Sequence, residues 1–347
     1  MLTEKQIHEI REHLNKAQNP LFFFDNDVDV LCSFLILRRY CEKGKGVAIK
    51  SFPDLTIEYF RKVHELNADY IFVLDKPIIS KEFFEEAEKF NIPIVWIDHH
   101  DIDAKIPDFV NYYNPSLNKS KNSPTTYLCY QVSEKKDDLW IAVIGSISDR
   151  FMPDFYFEFK KKYPDLSIDS EDAFDVRYRS QIGKIIQILS FALKDRTTNV
   201  VNMIRFLIKA KTPYEILEES NENSTMHQRF NQINSKYQNL IEKASQGKNS
   251  EKLLFFQYSG DLSISSDLSN ELTYKFPKKI IIVAYLSGIK VNISARGKHV
   301  RKIILKAIEG LEDATGGGHE EAVGAKIKVG DLKKFKEHLV ESIEDNL

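Results

Sequence analysis

The sequence predicts an α/β protein: an N-terminal domain with a mostly parallel sheet, a helical connector and a smaller C-terminal α/β domain. Early in the chain, short apolar runs alternate with amphipathic segments of helical length, which is typical of parallel strands joined by helices. Beyond Arg150 the sequence becomes polar and strand-poor, and apolar strand-like runs return at Lys252. We therefore place the two domains at 1–164 and 250–347, with the connector at 165–249.

The N-terminal domain is expected to begin with a helix and to continue with four strands. Thr3 and Gln6 have the spacing of a capping box, and an apolar stripe follows them at helical intervals. Apolar runs then alternate with amphipathic helical segments. The predicted strands are LFFFD (21–25), GVAIKSF (46–52), DYIFVLD (69–75) and IPIVWID (92–98).

The rest of the chain is predicted to be a helical segment followed by a second small sheet. Residues 165–247 are polar, with helical apolar periodicity and few strand signals. Three strands are expected after them, then a helix over 299–311 and a terminal helix. The three predicted strands are KLLFFQY, KIIIVAYL and KVNISAR.

Composition argues against several classes of protein. No apolar stretch approaches the roughly 18 residues of a membrane span, and the charged N-terminus lacks the plan of a signal peptide. The three cysteines are unpatterned, as in proteins of a reducing cytoplasm. We expect a cytoplasmic protein with no membrane partner.

One stretch departs from the near-neutral net charge of −2. Between Lys278 and Lys306 all the charged residues are basic, and none is acidic. Such a stretch is either a local anion-binding face or a solvated surface whose charge is balanced elsewhere. The residues alone leave both interpretations open.

Three of the predicted strands end on an aspartate. The carboxyl ends of parallel strands lie at one edge of a sheet, where ligands collect. Clustered carboxylates are costly unless a cation holds them, and carboxylate with imidazole suits Mn²⁺, Fe²⁺, Co²⁺ or Zn²⁺. The sequence therefore predicts a divalent-metal centre at this edge. Its candidate residues are Asp25, Asp27, Asp29, Asp75, Asp98, His99, His100 and Asp149.

A second motif, ATGGGHEEAVGA, places His319 directly after three consecutive glycines. In isolation such a triplet predicts a flexible turn. The same residues also let backbone amides approach an oxyanion closely, and the histidine can donate to a phosphate.

Taken together, these motifs resemble the DHH phosphoesterase superfamily, and specifically its RecJ-like nuclease branch. DNDVD, VLDKP, DHH and GSISD stand in the order of the four N-terminal family motifs, and NISAR and GGGHEEAVGA resemble the DHH-associated domain. The resemblance covers most of the chain. It implies a DHH catalytic domain at 1–164 and a DHH-associated substrate-binding domain at 250–347.

The resemblance also implies two divalent metal ions, with Mn²⁺ expected and Mg²⁺ or Co²⁺ as alternatives. Asp75 would bridge the two ions. The first ion would be held by Asp25, Asp27 and Asp75, and the second by Asp29, Asp75, His99 and Asp149.

Roles for the remaining candidates come from the same resemblance. His100 would contact the scissile phosphate beside the metals, and Asp98 would orient its neighbours. The residues expected to hold a substrate phosphate in the C-terminal domain are Arg296, Gly316, Gly317, Gly318 and His319.

Two positions depart from the family pattern. Val30 stands where a glycine usually follows the third aspartate, and is expected to constrain that loop; Lys76 adds positive charge next to the bridging Asp75. Since every expected ligand is present, we predict an active enzyme. Phe23 stands where the pyrophosphatases and short-oligonucleotide phosphatases of the family usually carry histidine, which favours the RecJ-like branch.

These features predict an exonuclease that hydrolyses phosphodiester bonds at an end of single-stranded DNA or RNA by a two-metal mechanism. The alternatives are a phosphodiesterase of short oligonucleotides or cyclic dinucleotides, and a binding scaffold like the helicase subunit Cdc45. The compact chain is most similar to archaeal RecJ-like and Hef-associated nucleases, so a repair or replication helicase complex is a candidate partner. Cleavage polarity, the choice between DNA and RNA, and self-association stay open.

Overall fold

The chain forms two compact units, Met1–Phe230 and Asn231–Leu347. The predicted α/β class, with a parallel N-terminal sheet and a separate C-terminal sheet, is confirmed. The predicted connector, 165–249, falls on both sides of the division, and the predicted domain bounds stay predictions. A computed structural model describes residues 1–50, 54–100, 105–118, 123–247 and 250–344.

The first unit alternates strands and helices as far as residue 113 and is helical beyond it. Its strands are β1 (Pro20–Asp25), β2 (Lys45–Ile49), β3 (Asp54–Leu55), β4 (Tyr70–Leu74), β5 (Ile78–Ile79), β6 (Ile94–Ile97) and β7 (Val110–Tyr113). Its helices are α1 (Glu4–Lys16), α2 (Val28–Cys41), α3 (Arg61–Glu65), α4 (Lys81–Lys89), α5 (Thr125–Ser133), α6 (Leu139–Ser148), α7 (Tyr156–Lys162), α8 (Ala173–Arg179), α9 (Gln181–Leu193), α10 (Thr197–Lys209) and α11 (Tyr214–Leu217), and α12 (Ser224–Gln246) crosses the division.

A five-stranded parallel sheet in the order β2-β1-β4-β6-β7 forms the centre of the first unit. Successive side chains of β1 point to opposite faces. Phe22 and Phe24 pack against Phe34 of α2, whereas Phe23 packs against Phe83 of α4. Because helices cover both faces, the strands are apolar throughout, as expected of a buried parallel sheet.

The elements of this unit follow the prediction, and the short strands β3, β5 and β7 are additional to the four predicted ones. The capping box of α1 is present, since the Thr3 hydroxyl accepts from the Gln6 amide and the Gln6 side chain from the Thr3 amide. The end of the second predicted strand, 51–52, lies outside the described residues. Strand β7 was not predicted, because its four residues are too few to show a period.

The second unit has a mixed sheet in the order β11-β12-β10-β9-β8, in which only β8 and β9 are parallel. Helices α14 and α15 cover one face through residues such as Ile304 and Phe335, and α13 packs on the other, where the Ser269 and Ser294 hydroxyls lie 2.9 Å apart. The elements are β8 (Leu253–Ser259), α13 (Ser265–Lys275), β9 (Ile280–Ser287), β10 (Lys290–Arg296), α14 (Val300–Ile308), β11 (Thr315–His319), β12 (Ala322–Lys328) and α15 (Leu332–Glu344).

The flexible turn predicted for the three glycines is wrong, because Gly316–Gly318 belong to strand β11, at the edge of this sheet. The helix predicted over 299–311 is confirmed in shorter form as α14. Among the described helices, none is both long and apolar enough to cross a membrane.

Candidate metal centre

The register of the parallel sheet brings three aspartates to one level. Phe24 of β1 pairs with Leu74 of β4, and Leu74 pairs with Ile97 of β6. The residue that follows each of these three is an aspartate, so three carboxylates stand at adjacent strand ends. They are Asp25, Asp75 and Asp98.

Asp75 occupies a left-handed backbone conformation, with φ of 57°. This conformation is uncommon outside glycine and persists where the surroundings determine it. Here the Asp75 amide donates to the carbonyl of Ile97 at 2.9 Å, and its Oδ1 accepts from the hydroxyl of Thr125 at 2.8 Å. Strand pairing and a helix start therefore fix the carboxylate that is predicted to bridge two ions.

The two histidines lie beyond the end of β6 and meet Asp75. His99 Nε2 is 3.2 Å from Asp75 Oδ1, and His100 Nδ1 is 3.9 Å from the same oxygen. One ligand atom from each of the three residues can be chosen so that all lie within 4.8 Å of one another. This mixed nitrogen and oxygen donor set suits a divalent transition-metal ion.

Asp98 is buried and contacts His100. Its Oδ1 is 2.8 Å from His100 Nδ1, and its Oδ2 accepts from the His100 amide at 3.2 Å and from the Tyr112 hydroxyl at 3.4 Å. Burial alone would lower the pKa of His100, but the hydrogen bond to Asp98 and the charge of Asp75 outweigh it and raise that pKa to about 9. Asp98 thus orients the imidazole, and in the metal-free protein the surrounding carboxylates favour its protonated form.

The first turn of α2 carries the next two aspartates. Asp27 is the N-cap and accepts from the amide of Val30 at 3.0 Å, and Asp29 lies in the first turn, where the helix dipole favours negative charge. The expectation that Val30 constrains a loop is wrong, because Val30 is inside the helix and its amide serves the cap.

The Asp29 carboxylate is buried, with 5% of the residue exposed. Its Oδ1 accepts from the Thr126 amide at 3.1 Å, but its Oδ2 has no hydrogen-bond partner among the described residues. A buried carboxylate oxygen without a partner is costly. A cation at this position would satisfy it, so the residues present fit the implied metal.

Two further residues of the centre, Thr125 and Thr126, begin helix α5 and are not among the predicted site residues. Their hydroxyls donate to Asp75 Oδ1 and to the Asp29 carbonyl respectively, the latter at 2.5 Å. The available signal was Pro124 ahead of a threonine pair, which is typical of a helix start. Nothing in that pattern indicated which aspartates the helix would meet.

Asp149 follows α6 directly and completes the group of carboxylates. Loss of hydration and the charges of Asp75 and Asp25 raise the pKa of Asp27 to about 8. Loss of hydration likewise raises the pKa of Asp149, with Asp75 adding to it and His99 opposing it. Asp27 and Asp149 nevertheless keep an exposed side, so the cluster is open to solvent there. This shared excess of negative charge is what bound cations would neutralise.

In the second unit, the register places Arg296 and His319 in one row, since both pair with Ala322 of β12. Directly paired residues share a face of the sheet. Arg296 Nε donates to Asn270 Oδ1 at 2.7 Å and Nη2 donates to the Ser266 hydroxyl at 3.1 Å, so α13 orients the guanidinium. His319 is exposed.

Ala322 lies between these two side chains, and the next row on the same face is a floor of glycine. Gly317 pairs with Gly324, two residues along from His319 and Ala322, and a Cβ built on either glycine would meet nothing within 4 Å. The edge strand thus leaves a flat, open surface with an arginine at one side and a histidine at the other. Such a surface can accept a phosphate close to the backbone.

The structure brings together all the predicted residues of the first unit and, separately, those of the second. Their roles as ligands and substrate contacts stay predictions. Lys76 also lies at the metal centre, as described below.

Two family models match the chain: the DHH family N-terminal domain over residues 21–146 and the DHHA1 domain over residues 251–345. No curated protein sequence matches it.

Solved structures share the fold at low identity. RecJ from Thermus thermophilus in complex with Mn²⁺ matches with a TM-score of 0.69 and 14% identity over 98% of this chain and 54% of that one. The chain thus spans about half the length of the Thermus protein. A manganese-bound exonuclease RecJ matches with a TM-score of 0.63 and 14% identity over 99% and 95% of the two chains. A pGpG-specific phosphodiesterase from Vibrio matches with a TM-score of 0.52 and 13% identity over 95% and 100%.

Proposed function

The chain belongs to the DHH phosphoesterase superfamily and is a hydrolase with the fold of the RecJ-like branch, and from this premise we propose that it is a metal-dependent exonuclease of single-stranded DNA or RNA. The observation that carries the metal dependence is the buried Asp29 Oδ2, which has no hydrogen-bond partner among the described residues and belongs to the same carboxylate cluster as Asp75. Without bound cations, carboxylates this close together lack enough positive charge to offset their mutual repulsion.

Asp75 and Asp29 would hold metal ions, with Asp25, Asp27, His99 and Asp149 completing the set. Two bound divalent ions would supply Lewis-acid charge at a phosphodiester and activate a water for in-line attack. The family fold and the manganese-bound relatives support Mn²⁺, with Mg²⁺ or Co²⁺ as alternatives.

His100 would act on the substrate itself. Because Asp98 holds Nδ1, a protonated ring would donate from Nε2 to a non-bridging phosphate oxygen. A donor there would stabilise charge that grows in the transition state. Asp98 would be a positioning residue, since it acts through His100.

Arg296 and His319 would grip a phosphate of the strand over the glycine floor. The Arg296 guanidinium would give a charge-assisted hydrogen bond to a phosphate oxygen, and the open space above Gly317 lets the phosphate approach. A grip on backbone phosphate carries no base preference, so it is compatible with either DNA or RNA.

The same grip suits a second candidate, a phosphodiesterase of short oligonucleotides or cyclic dinucleotides. The specific observation for it is the similarity in fold to the pGpG-specific enzyme over nearly the whole of both chains. A non-catalytic scaffold is disfavoured, because the complete carboxylate and histidine set is assembled. A helicase-complex partner and self-association stay predictions.

The test is digestion of 5′- and 3′-labelled DNA and RNA, from dinucleotides to strands of roughly twenty nucleotides, with Mn²⁺ or with chelator. We expect ladders with Mn²⁺ and no cleavage in chelator. The cleavage rate of Asp75→Asn is expected to fall by more than about a hundredfold. This exceeds the loss typical of residues that only support a metal ligand.

The matched control is Asp169→Asn in the same unit, an exposed carboxylate paired with Lys160 at 2.6 Å, which is expected to cleave at the wild-type rate. Cleavage confined to the shortest substrates would select the phosphodiesterase candidate. Full activity of Asp75→Asn in excess chelator would contradict both.

A further inference from the structure

Lys76 is fully buried at the metal centre, with 0% of its surface exposed. Its Nζ is 3.4 Å from Asp25 Oδ2. Its backbone is also fixed, because the Trp96 indole donates to the Lys76 carbonyl at 2.9 Å and the left-handed Asp75 precedes it. A buried ammonium is costly unless a negative group compensates it. This lysine is therefore built into the carboxylate cluster and is not a surface charge that happens to lie near it.

The Asp25 carboxylate contacts one backbone donor and one cation. Oδ1 accepts from the Asn26 amide at 2.8 Å, and Oδ2 faces the ammonium. Each carboxylate oxygen has two lone-pair sites, so Asp25 can still bind a metal ion, but that ion would share the carboxylate with Lys76.

The total charge of the cluster also indicates that the Lys76 ammonium belongs to the centre. The cluster carries five carboxylates besides Asp98, which is occupied by His100, and two divalent ions would leave one negative charge over. One buried ammonium neutralises it. The five carboxylates are Asp25, Asp27, Asp29, Asp75 and Asp149.

We propose that Lys76 is the resident cation of this centre: a positioning residue that holds Asp25 when no metal is bound and weakens the binding of the ion that Asp25 helps to hold. This inference rests on the proposed metal-dependent function. The repulsion between an ammonium and a divalent ion on one carboxylate is expected to exceed what one hydrogen bond gains from holding Asp25 in place. Removal of the charge is therefore expected to tighten metal binding.

The first test is calorimetric titration of the metal-stripped protein with Mn²⁺, without substrate. Lys76→Met keeps the length of the side chain and removes its charge, and we expect its Kd for the weaker Mn²⁺ ion to fall about tenfold or more. Lys76→Arg keeps the charge and is expected to stay within about twofold of the wild type.

The matched control removes a partly buried cation that pairs with a buried carboxylate in the same unit. Arg39 Nε lies 2.6 Å from Asp138 Oδ1, and Arg39 is ten residues from Asp29 along α2, or about 15 Å. Arg39→Met is expected to lower the melting temperature and to leave the Mn²⁺ affinity unchanged. If Lys76→Met acted only by lowering stability, it would likewise lower the melting temperature and leave the Mn²⁺ affinity unchanged.

The second test is a thermal double-mutant cycle in chelator with Lys76→Met, Asp25→Asn and the two together. If Lys76 holds Asp25, the double variant is less destabilised than the two single changes added. If Lys76→Met alone does not fold, the double variant, which lacks both charges, is titrated with Mn²⁺ in its place. Its Mn²⁺ affinity is then compared with that of Asp25→Asn.

The outcomes separate this inference from the proposed function. An unchanged or weaker Mn²⁺ affinity in Lys76→Met, or additive changes in melting temperature, would overturn the role of Lys76 even if the wild type cleaves strands. Tighter Mn²⁺ binding by Lys76→Met, in a protein that cleaves no nucleic acid, would uphold it and contradict the nuclease.

Discussion

Arg296 shows how a functional side chain depends on residues far away in the sequence. Its guanidinium donates to Asn270 and Ser266 of α13, and to the carbonyl of Ala295 at 2.9 Å. These contacts fix the plane of the fork before any ligand arrives, and pre-organisation lowers the cost of binding. Asp98 does the same for His100, and Thr125 for Asp75.

Arg296→Ala is expected to weaken binding of a single strand by roughly 1.5–3 kcal/mol, the value of a hydrogen bond to a charged group. Arg296→Lys restores only part of the loss, because a point charge does not reproduce a fork. Strand affinity is measured with Ca²⁺ replacing Mn²⁺ to suppress cleavage, and Mn²⁺ affinity is measured on the same variants. The Mn²⁺ affinity is expected to stay at the wild-type value.

Lys290→Ala is the control for that experiment, since Lys290 is an exposed basic residue at the other end of the same strand. It is expected to change strand binding only slightly. Wild-type strand affinity in Arg296→Ala, or loss of its Mn²⁺ binding, would contradict the assignment of Arg296 to the phosphate.

At the scale of the elements, structure and site are predictable from the sequence where one pattern determines both. The runs that end in Asp25, Asp75 and Asp98 are strands of one parallel sheet, and parallel pairing alone brings their ends together. Contacts that join distant elements are not predictable in this way. The hydrogen bond from Thr126 to Asp29 spans 97 positions, and no local pattern encodes it.

The three glycines were misassigned for a different reason. Glycine is depleted in strands, because it packs no side chain and loses more backbone entropy. Here the strand forms because β12 supplies the pairing, with Gly316 to His319 matched residue by residue. A pairing partner from elsewhere in the chain overrode the local preference.

Two neighbouring glycines of β11 are expected to respond oppositely to alanine. A Cβ at Gly317 meets nothing within 4 Å, so Gly317→Ala should fold normally but raise the floor on which a phosphate would lie. Gly318 has φ of 137°, and its Cβ would lie 2.4 Å from the carbonyl oxygen of Ala322. Gly318→Ala should therefore lose roughly 1–3 kcal/mol of unfolding free energy.

Denaturant unfolding and strand affinity, measured on both variants, check this pair. Each variant is the other's control, because they differ by one position on one strand. Wild-type strand affinity in Gly317→Ala would show that the glycine floor does not receive the strand, and wild-type stability in Gly318→Ala would contradict the backbone strain.

For the molecule as a whole, the carboxylate cluster links stability to pH. Burial raises the pKa of Asp29 and, less strongly, of Asp25, and loss of hydration raises that of Asp27 to about 8. An unfolded aspartate titrates near 3.9. The folded, metal-free protein therefore binds more protons than the unfolded chain over the interval between these values. By linkage, this contribution to stability is complete below about pH 4 and is lost as pH rises towards 8.

Metal ions are expected to reverse this dependence of stability on pH. They bind the deprotonated carboxylates and only the folded state assembles the centre, so the stabilisation by Mn²⁺ grows as pH rises. We expect the unfolding free energy in chelator to fall between pH 5 and pH 8, and the gain on adding Mn²⁺ to be larger at pH 8. Denaturant unfolding at the two pH values, with chelator and with Mn²⁺, measures both.

Asp27→Asn isolates the contribution of the cluster from other titrating groups. It removes a carboxylate whose pKa is raised to about 8, so the fall in metal-free stability between pH 5 and pH 8 should be smaller than in the wild type. Asp169→Asn removes an exposed carboxylate whose pKa is lowered, first by its hydrogen bond to Lys160 and then by that lysine's charge, and should leave the fall unchanged. A metal-free stability that is flat or rises over this interval would mean that the aspartates do not repel one another in the folded protein. In that case neither the need for cations nor the role of Lys76 as one of them would follow from their proximity.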